Sequence, residues 1–172
     1  LEVVVNLVKK IADIIGYEGT RYDALLDEFE PGLTSKKLDK IIEYLRNELV
    51  PFTDELLTKG TKPNDEILKG KYDLKKQEEL SFEALKYMQY DLDAGRLDVS
   101  AHPFTIGIGP HDIRITSRYQ EGDIKDSLYS AIHEGGHALY EQGLNPDYDE
   151  LPIGSAASMA IHESQSRFWE NI

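Results

Sequence analysis

Residues 130–143 read SAIHEGGHALYEQG. The apolar positions recur at helical spacing, yet Gly135 and Gly136 stand side by side in the middle. Each glycine costs about 1 kcal/mol of helix propensity relative to alanine. A helix that keeps both must be held by packing rather than by propensity. Its limits are legible. Asp123 has the chemistry of an N-cap, Asp126 follows three residues later, and Gly143 is a natural stop. On a helical projection Leu128, Ala131, Ile132, Ala138 and Leu139 cover one side, and Tyr129 and Tyr140 flank an edge. The polar strip that remains is His133, Glu134 and His137. Gly135 projects into the apolar back, and Gly136 onto the edge beside His133, where a neighbouring element gains close approach.

His133-Glu134-x-x-His137 is the pattern H-E-x-x-H. Imidazoles four residues apart lie on one face, one turn apart, and reach a single metal ion. Glu134, about 100° around the helix, reaches a water at the metal without being a ligand. Zinc lowers the pKa of such a water to about 7, and a neighbouring glutamate takes its proton as it attacks a carbonyl. A polar strip on an otherwise apolar helix needs partners, and a metal supplies one. A catalytic zinc site calls for a third protein ligand and an open position. Glu141 shares the histidine face but lies about 12 Å along the axis from His133, too far to close a compact site. Asp147, Asp149 and Glu150 are loop alternatives. Glu163 is better placed. It shares a face with Ala156, Met159, Ala160 and Arg167 on the last helical stretch, and the small residues at the start of that stretch allow close approach; the competing reading of Glu163 is an ion pair with Arg167. His162 points about 100° away from Glu163 and is expected behind a ligand or facing substrate rather than as a fourth ligand.

The remaining sequence is largely helical. Residues 2–15 carry Val4, Leu7, Val8, Ile11, Ile14 and Ile15 at helical spacing; GYEGTRYDALLDEFEPG (16–32) reads as a turn, a short helix and a Pro-Gly stop. Residues 35–59 form a longer helical stretch in which Pro51 is expected to introduce a kink or break. Residues 58–73 read as loop and 74–93 as helix. AHPFTIGIGPHDIRITSRY (101–119) turns β-like, with Asp112, Arg114 and Thr116 on one strand face and Ile113 and Ile115 on the other. A final helix is expected from about Ser155. The strand at 112–118 is a candidate to align a peptide by β-addition, and Arg114, Arg118 and Arg167 are candidate cations for a carboxylate, each with an ordinary ion pair as the alternative. His102 and His111 are candidate groove residues.

The 172 residues hold 32 acidic and 19 basic side chains, a net charge of −13, and no cysteine. That balance argues against general nucleic-acid or anionic-membrane binding and excludes thiolate ligands. No apolar run approaches the length of a membrane span, and a cytoplasmic location is the default expectation. Plentiful Glu and Lys lean towards a thermophile composition. A start at Leu1 and an end in the helical pattern SRFWENI, without a stop signal, read as a piece of a longer protein.

HPFT (102–105), DIRITSRY (112–119), HEGGHALYEQG (133–143) and IHESQSRFWEN (161–171), in that order, resemble the carboxypeptidase Taq family of metallocarboxypeptidases. YDALLDEFEPG (22–32) and YDLDAGRLDVSAHPF (90–104) resemble it too. The resemblance implies a mainly α, zincin-like fold with a small β-hairpin or sheet near 102–119. The match runs from about Gly16 to the end, and with the residue patterns above it gives one catalytic-domain piece over 1–172: helical over 1–98, a hairpin over 99–119, metal-binding helices over 123–172. It implies removal of single residues from free peptide C-termini with zinc, or sometimes cobalt, and a homodimer. By position His133 and His137 become ligands, Glu163 the third ligand, and Glu134 the catalytic base. His102, Asp112, Arg114 and Thr116 match motifs expected to shape the substrate groove, and His162 lies beside them in role. Two departures stand out. Relatives carry a larger or variable residue where Gly135 stands, and the family chain continues beyond residue 172 into further motifs. Two rival readings are a related endopeptidase or oligopeptidase, and a non-enzymatic helical module.

Overall fold

The computed structural model describes residues 1–68 and 70–172. They form two compact units, Leu1–Pro63 and Asn64–Ile172. The first is three helices: α1 (Glu2–Ile15), α2 (Arg21–Phe29) and α3 (Ser35–Lys59). Two start signals are tied together here. Asp23 accepts from the Thr20 amide at 2.9 Å, closing the capping box of α2. Its other oxygen accepts from the Ser35 amide at 2.6 Å, at the start of α3. Of the kink or break expected at Pro51, the break does not occur: α3 runs continuously from Ser35 to Lys59. A proline inside a helix loses its own backbone hydrogen bond, here to the Asn47 carbonyl, and crowds that carbonyl; the helix continues on both sides of it over 25 residues.

The second unit holds everything chemical. Its elements are α4 (Leu74–Tyr87), β1 (Gly95–Val99), β2 (Thr105–Gly109), β3 (Asp112–Ser117), α5 (Ile124–Gln142) and α6 (Met159–Asn171), with short 3-10 turns at Glu66–Leu68, Pro146–Tyr148 and Pro152–Gly154. The loop reading at Lys69 lies outside the described residues. The helix expected over 74–93 stops at Tyr87, and Gln89 takes a left-handed φ of 68°. That turn swings Tyr90 into the core, where its hydroxyl donates to the Ile113 carbonyl.

The β segment is larger than a hairpin. β2 and β3 pair antiparallel as expected, but β1 adds a third strand, parallel to β3, in the order β1-β3-β2. Residues 95–98, expected as the end of the helical segment, are therefore strand. Leu97 points inward and is buried while its neighbours are not. Gly95 is where the strand meets Tyr90: a Cβ there would lie 2.1 Å from both the Ile113 carbonyl oxygen and the Tyr90 hydroxyl.

Helix α5 is the hub, packed against α4, α6, β2 and β3. Ala138 from α5 joins Leu85 and Met88, Tyr90, Leu97, Ile113 and Ile115 in one core, with Ile132, Leu139 and Trp169 against it. The caps match the sequence: the Asp123 carboxylate accepts from the Asp126 amide, and Gly143 ends the helix. α6 starts later than expected, at Met159, because residues 146–154 close into two 3-10 turns and Ser158, not Ser155, is the cap.

Candidate metal centre

The two glycines bring α5 and α6 together. A Cβ on Gly136 would sit 2.6 Å from the Ser166 Cα and 2.8 Å from the Gln165 carbonyl oxygen, both backbone atoms of α6. Ser166 is completely buried at this crossing. Gly135 faces the other way, where a Cβ would meet the ends of Leu85 and Met88 at 2.6 and 3.0 Å.

This close crossing places Glu163 over the histidine strip. Glu163 Oε2 lies 3.4 Å from His137 Nε2, and Oε1 lies 3.9 Å from His133 Nε2. One donor atom from each of the three falls within 4.8 Å of the others. Ligand atoms around a tetrahedral zinc are separated by about 3.3–3.5 Å, so small side-chain shifts bring this set to bonding distance. Two neutral nitrogens and one carboxylate also match the donor chemistry of zinc. The charge state of His137 suits a ligand: burial first, and then the neighbouring His162 and His133, push its pKa down, which keeps the imidazole neutral. The rival reading of Glu163 holds at the same time, since Arg167 Nε donates to its Oε1 at 2.9 Å. Asp147, Asp149 and Glu150 are not in the cluster. Glu141 contributes no ligand atom either, as its distance along the helix implied.

Glu134 is 92% shielded from solvent, at 8% exposure, and its carboxylate accepts from the Thr105 hydroxyl at 2.7 Å. Nothing in the local sequence around HPFT marks Thr105 as a partner of Glu134; it opens β2, and only the packing of β2 on α5 brings it there. Two further carboxylates, Glu170 and Glu141, join the centre. Glu170 Oε2 lies 3.0 Å from His133 Nδ1. His162 Nδ1 contacts His137 Nδ1, and His162 Nε2 donates to Glu141 at 2.6 Å. For Glu170 the signal was present: it follows Glu163 by seven residues, two turns along one face. Glu141 gave no such signal, because its partner comes from another helix.

The groove candidates separate. His102 lines a groove of about 360 Å³ together with His133, Glu134, Arg118, Arg167 and Tyr129. Asp112 and Arg114 instead hold each other through two 2.7 Å hydrogen bonds, and the Arg114 guanidinium holds the Asp112 carboxyl below its ordinary range. Thr116 is buried, its hydroxyl accepting from the Phe104 amide at 3.0 Å and bonding the Ser100 hydroxyl at 2.6 Å. It thereby ties the start of β2 to β3. His111 sits in the turn between β2 and β3. Arg118 donates twice to Asp126, so each of the three candidate arginines has a carboxylate partner. The strand at 112–118 is not free to accept a peptide, because β3 is central and paired on both sides. β2 is the sheet edge on the side of Glu134.

By fold and by sequence this chain falls within a class of metallopeptidases. Residues 1–172 match the profile of the Carboxypeptidase Taq (M32) metallopeptidases, and the chain belongs to that family. It is 46% identical over 154 residues to thermostable carboxypeptidase 1 of Thermus thermophilus, covering 90% of this chain and 30% of that protein. It is 40% identical to carboxypeptidase 1 of Bacillus subtilis over 99% of this chain and 34% of the relative. The crystal structure of an M32 carboxypeptidase from Deinococcus radiodurans superposes with a TM-score of 0.91 at 36% identity, over 99% of this chain and 34% of that one. The chain thus spans about a third of the length of the relatives it matches.

Proposed function

We propose that this chain carries the metal centre of a carboxypeptidase that hydrolyses the last peptide bond of peptides with a free C-terminus. The observation that carries the reading is the convergence of His133, His137 and Glu163 beside the buried carboxylate of Glu134. His133, His137 and Glu163 would hold zinc, with cobalt as a substitute. When bound, the ion would polarise the scissile carbonyl and make water acidic enough to attack at neutral pH. Glu134, fixed by Thr105, takes the proton of the attacking water and delivers it to the departing amine. The edge of β2 aligns the peptide backbone by strand addition. His102 lines the groove on the Glu134 side, and Asp112, Arg114 and Thr116 act by holding the sheet that presents β2.

No helix among the described residues is long and apolar enough to cross a membrane. With a net charge of −13, we place the protein in the cytoplasm, free of nucleic acid, and as a homodimer like its family. Two measurements test the activity. The purified chain should bind one equivalent of zinc, removable by chelator. The whole natural protein should release the C-terminal amino acid from a blocked dipeptide and leave its C-terminal amide intact. Equal cleavage of the amide would overturn the exopeptidase reading in favour of an endopeptidase. Failure to bind any metal would overturn the reading as a whole.

A further inference from the structure

Each imidazole of the centre has its second nitrogen engaged, and the two are engaged differently. His133 and His137 both turn Nε2 towards Glu163 and Nδ1 away from it. A neutral imidazole carries one N–H, so a ring that offers the Nε2 lone pair to an ion must carry its proton on Nδ1. For His133 that proton has an acceptor in Glu170, 3.0 Å away. For His137 the group opposite Nδ1 is another imidazole nitrogen, His162 Nδ1. Two N–H groups cannot face each other there, so His162 must offer its Nδ1 lone pair and carry its proton on Nε2. Glu141 accepts that proton at 2.6 Å. The hydrogen-bond directions are then fixed from the carboxylate to the metal face, with no group left in a conflicting tautomer.

We propose that Glu170, acting directly on His133, and Glu141, acting through His162 on His137, are positioning residues that lock both imidazoles in the Nε2-donating tautomer. Partners of this kind orient ligand rings and raise their basicity. The two branches differ in stiffness. Glu170 lies on the helix that delivers Glu163, and Arg167 bridges the two carboxylates at 2.9 Å to each. The first branch therefore moves with the third ligand. The second ties α5 to α6 through His162, independently of Arg167.

The inference rests on the metal-centre reading, and zinc affinity measured against a chromophoric chelator separates the two. Wild type should bind zinc and His133→Ala should not. Glu170→Ala, Glu141→Ala and His162→Ala should each weaken binding roughly 10–100-fold, with Glu170→Gln and Glu141→Gln milder because an amide oxygen still accepts. Glu141→Ala combined with His162→Ala should lose no more than the worse single variant, since they share one branch. Glu141→Ala combined with Glu170→Ala should multiply. Nitrogen-15 NMR of the zinc-loaded wild type should show His137 protonated on Nδ1 and His162 on Nε2, and Glu141→Ala should mix the His162 tautomers. Wild-type affinity in all three alanine variants, with His133→Ala inactive in binding, would overturn this inference and leave the metal centre standing. So would the opposite tautomers in wild type. A wild type that binds no zinc would overturn both.

Discussion

Gly136 has no room for a methyl group, because the atoms it would meet belong to the backbone of α6. Gly135 faces side-chain ends that move more cheaply. Gly136→Ala should therefore displace α6, and Glu163 with it, at a cost of roughly 1–3 kcal/mol, and weaken zinc binding as well. Gly135→Ala gains helix propensity against a small repacking cost and should leave zinc affinity unchanged. Calorimetry and metal titration on the pair check this; equal losses of zinc binding would be inconsistent with the crossing described above. Two more residues divide the chemistry. Glu134→Gln should keep the metal and lower turnover about 10²–10⁴-fold. Thr105→Val leaves the base in place but removes a hydrogen bond to a charged group, worth about 1.5–3 kcal/mol. It should slow turnover of the whole natural protein roughly 10–100-fold at unchanged metal content. A Thr105→Val protein with wild-type turnover would remove the positioning role from Thr105.

Among the elements, the start of α2 offers a pH test. Hydrogen bonds from the Ser35 hydroxyl and amide, then from the Thr20 amide, lower the Asp23 carboxyl to about 2 from an ordinary 3.8. Folding thus favours the ionised form. Its stabilising contribution is complete above pH 4 and disappears as the pH falls through about 2. The difference in thermal midpoint between wild type and Asp23→Asn should be largest above pH 4 and shrink steadily below it. A gap independent of pH would mean that the charge plays no part. The sheet shows a different kind of dependence. DIRIT announced a strand with its apolar face inward, and Ile113 and Ile115 are indeed buried. Which edge of that strand was free could not be read from alternation, because alternation sets the faces of a strand and not its neighbours. β1 took one side and β2 the other, which moved the edge available for a peptide from β3 to β2.

At the scale of the molecule, the proposed metal centre would link metal binding to folding. An ion held by His133 and His137 of α5 and Glu163 of α6 would bind the folded state and not the unfolded one, so zinc at a hundred times its dissociation constant should add about 2.7 kcal/mol of stability. The thermal midpoint of wild type should rise with zinc and fall back with chelator, while that of His133→Ala should not move. An equal rise in His133→Ala would assign the effect to the acidic surface instead.

The sequence alone settled what is local. Helical spacing put His133, Glu134 and His137 on one strip, and Asp123 and Gly143 bounded their helix. These readings depend on contacts within a few residues, where the repeat of the helix fixes the geometry. The small residues ahead of Glu163 were expected to make the close approach, but the crossing falls beyond it at Ser166, and Ala160 is exposed. Tertiary structure alone decided the rest. Thr105 on Glu134, Glu170 on His133 and Glu141 reached through His162 come from chain segments between 21 and 37 residues apart. No periodicity pairs residues on different elements: the first contact exists only where β2 packs on α5, and the other two only where the backbone of α6 settles into the gap that Gly136 leaves open.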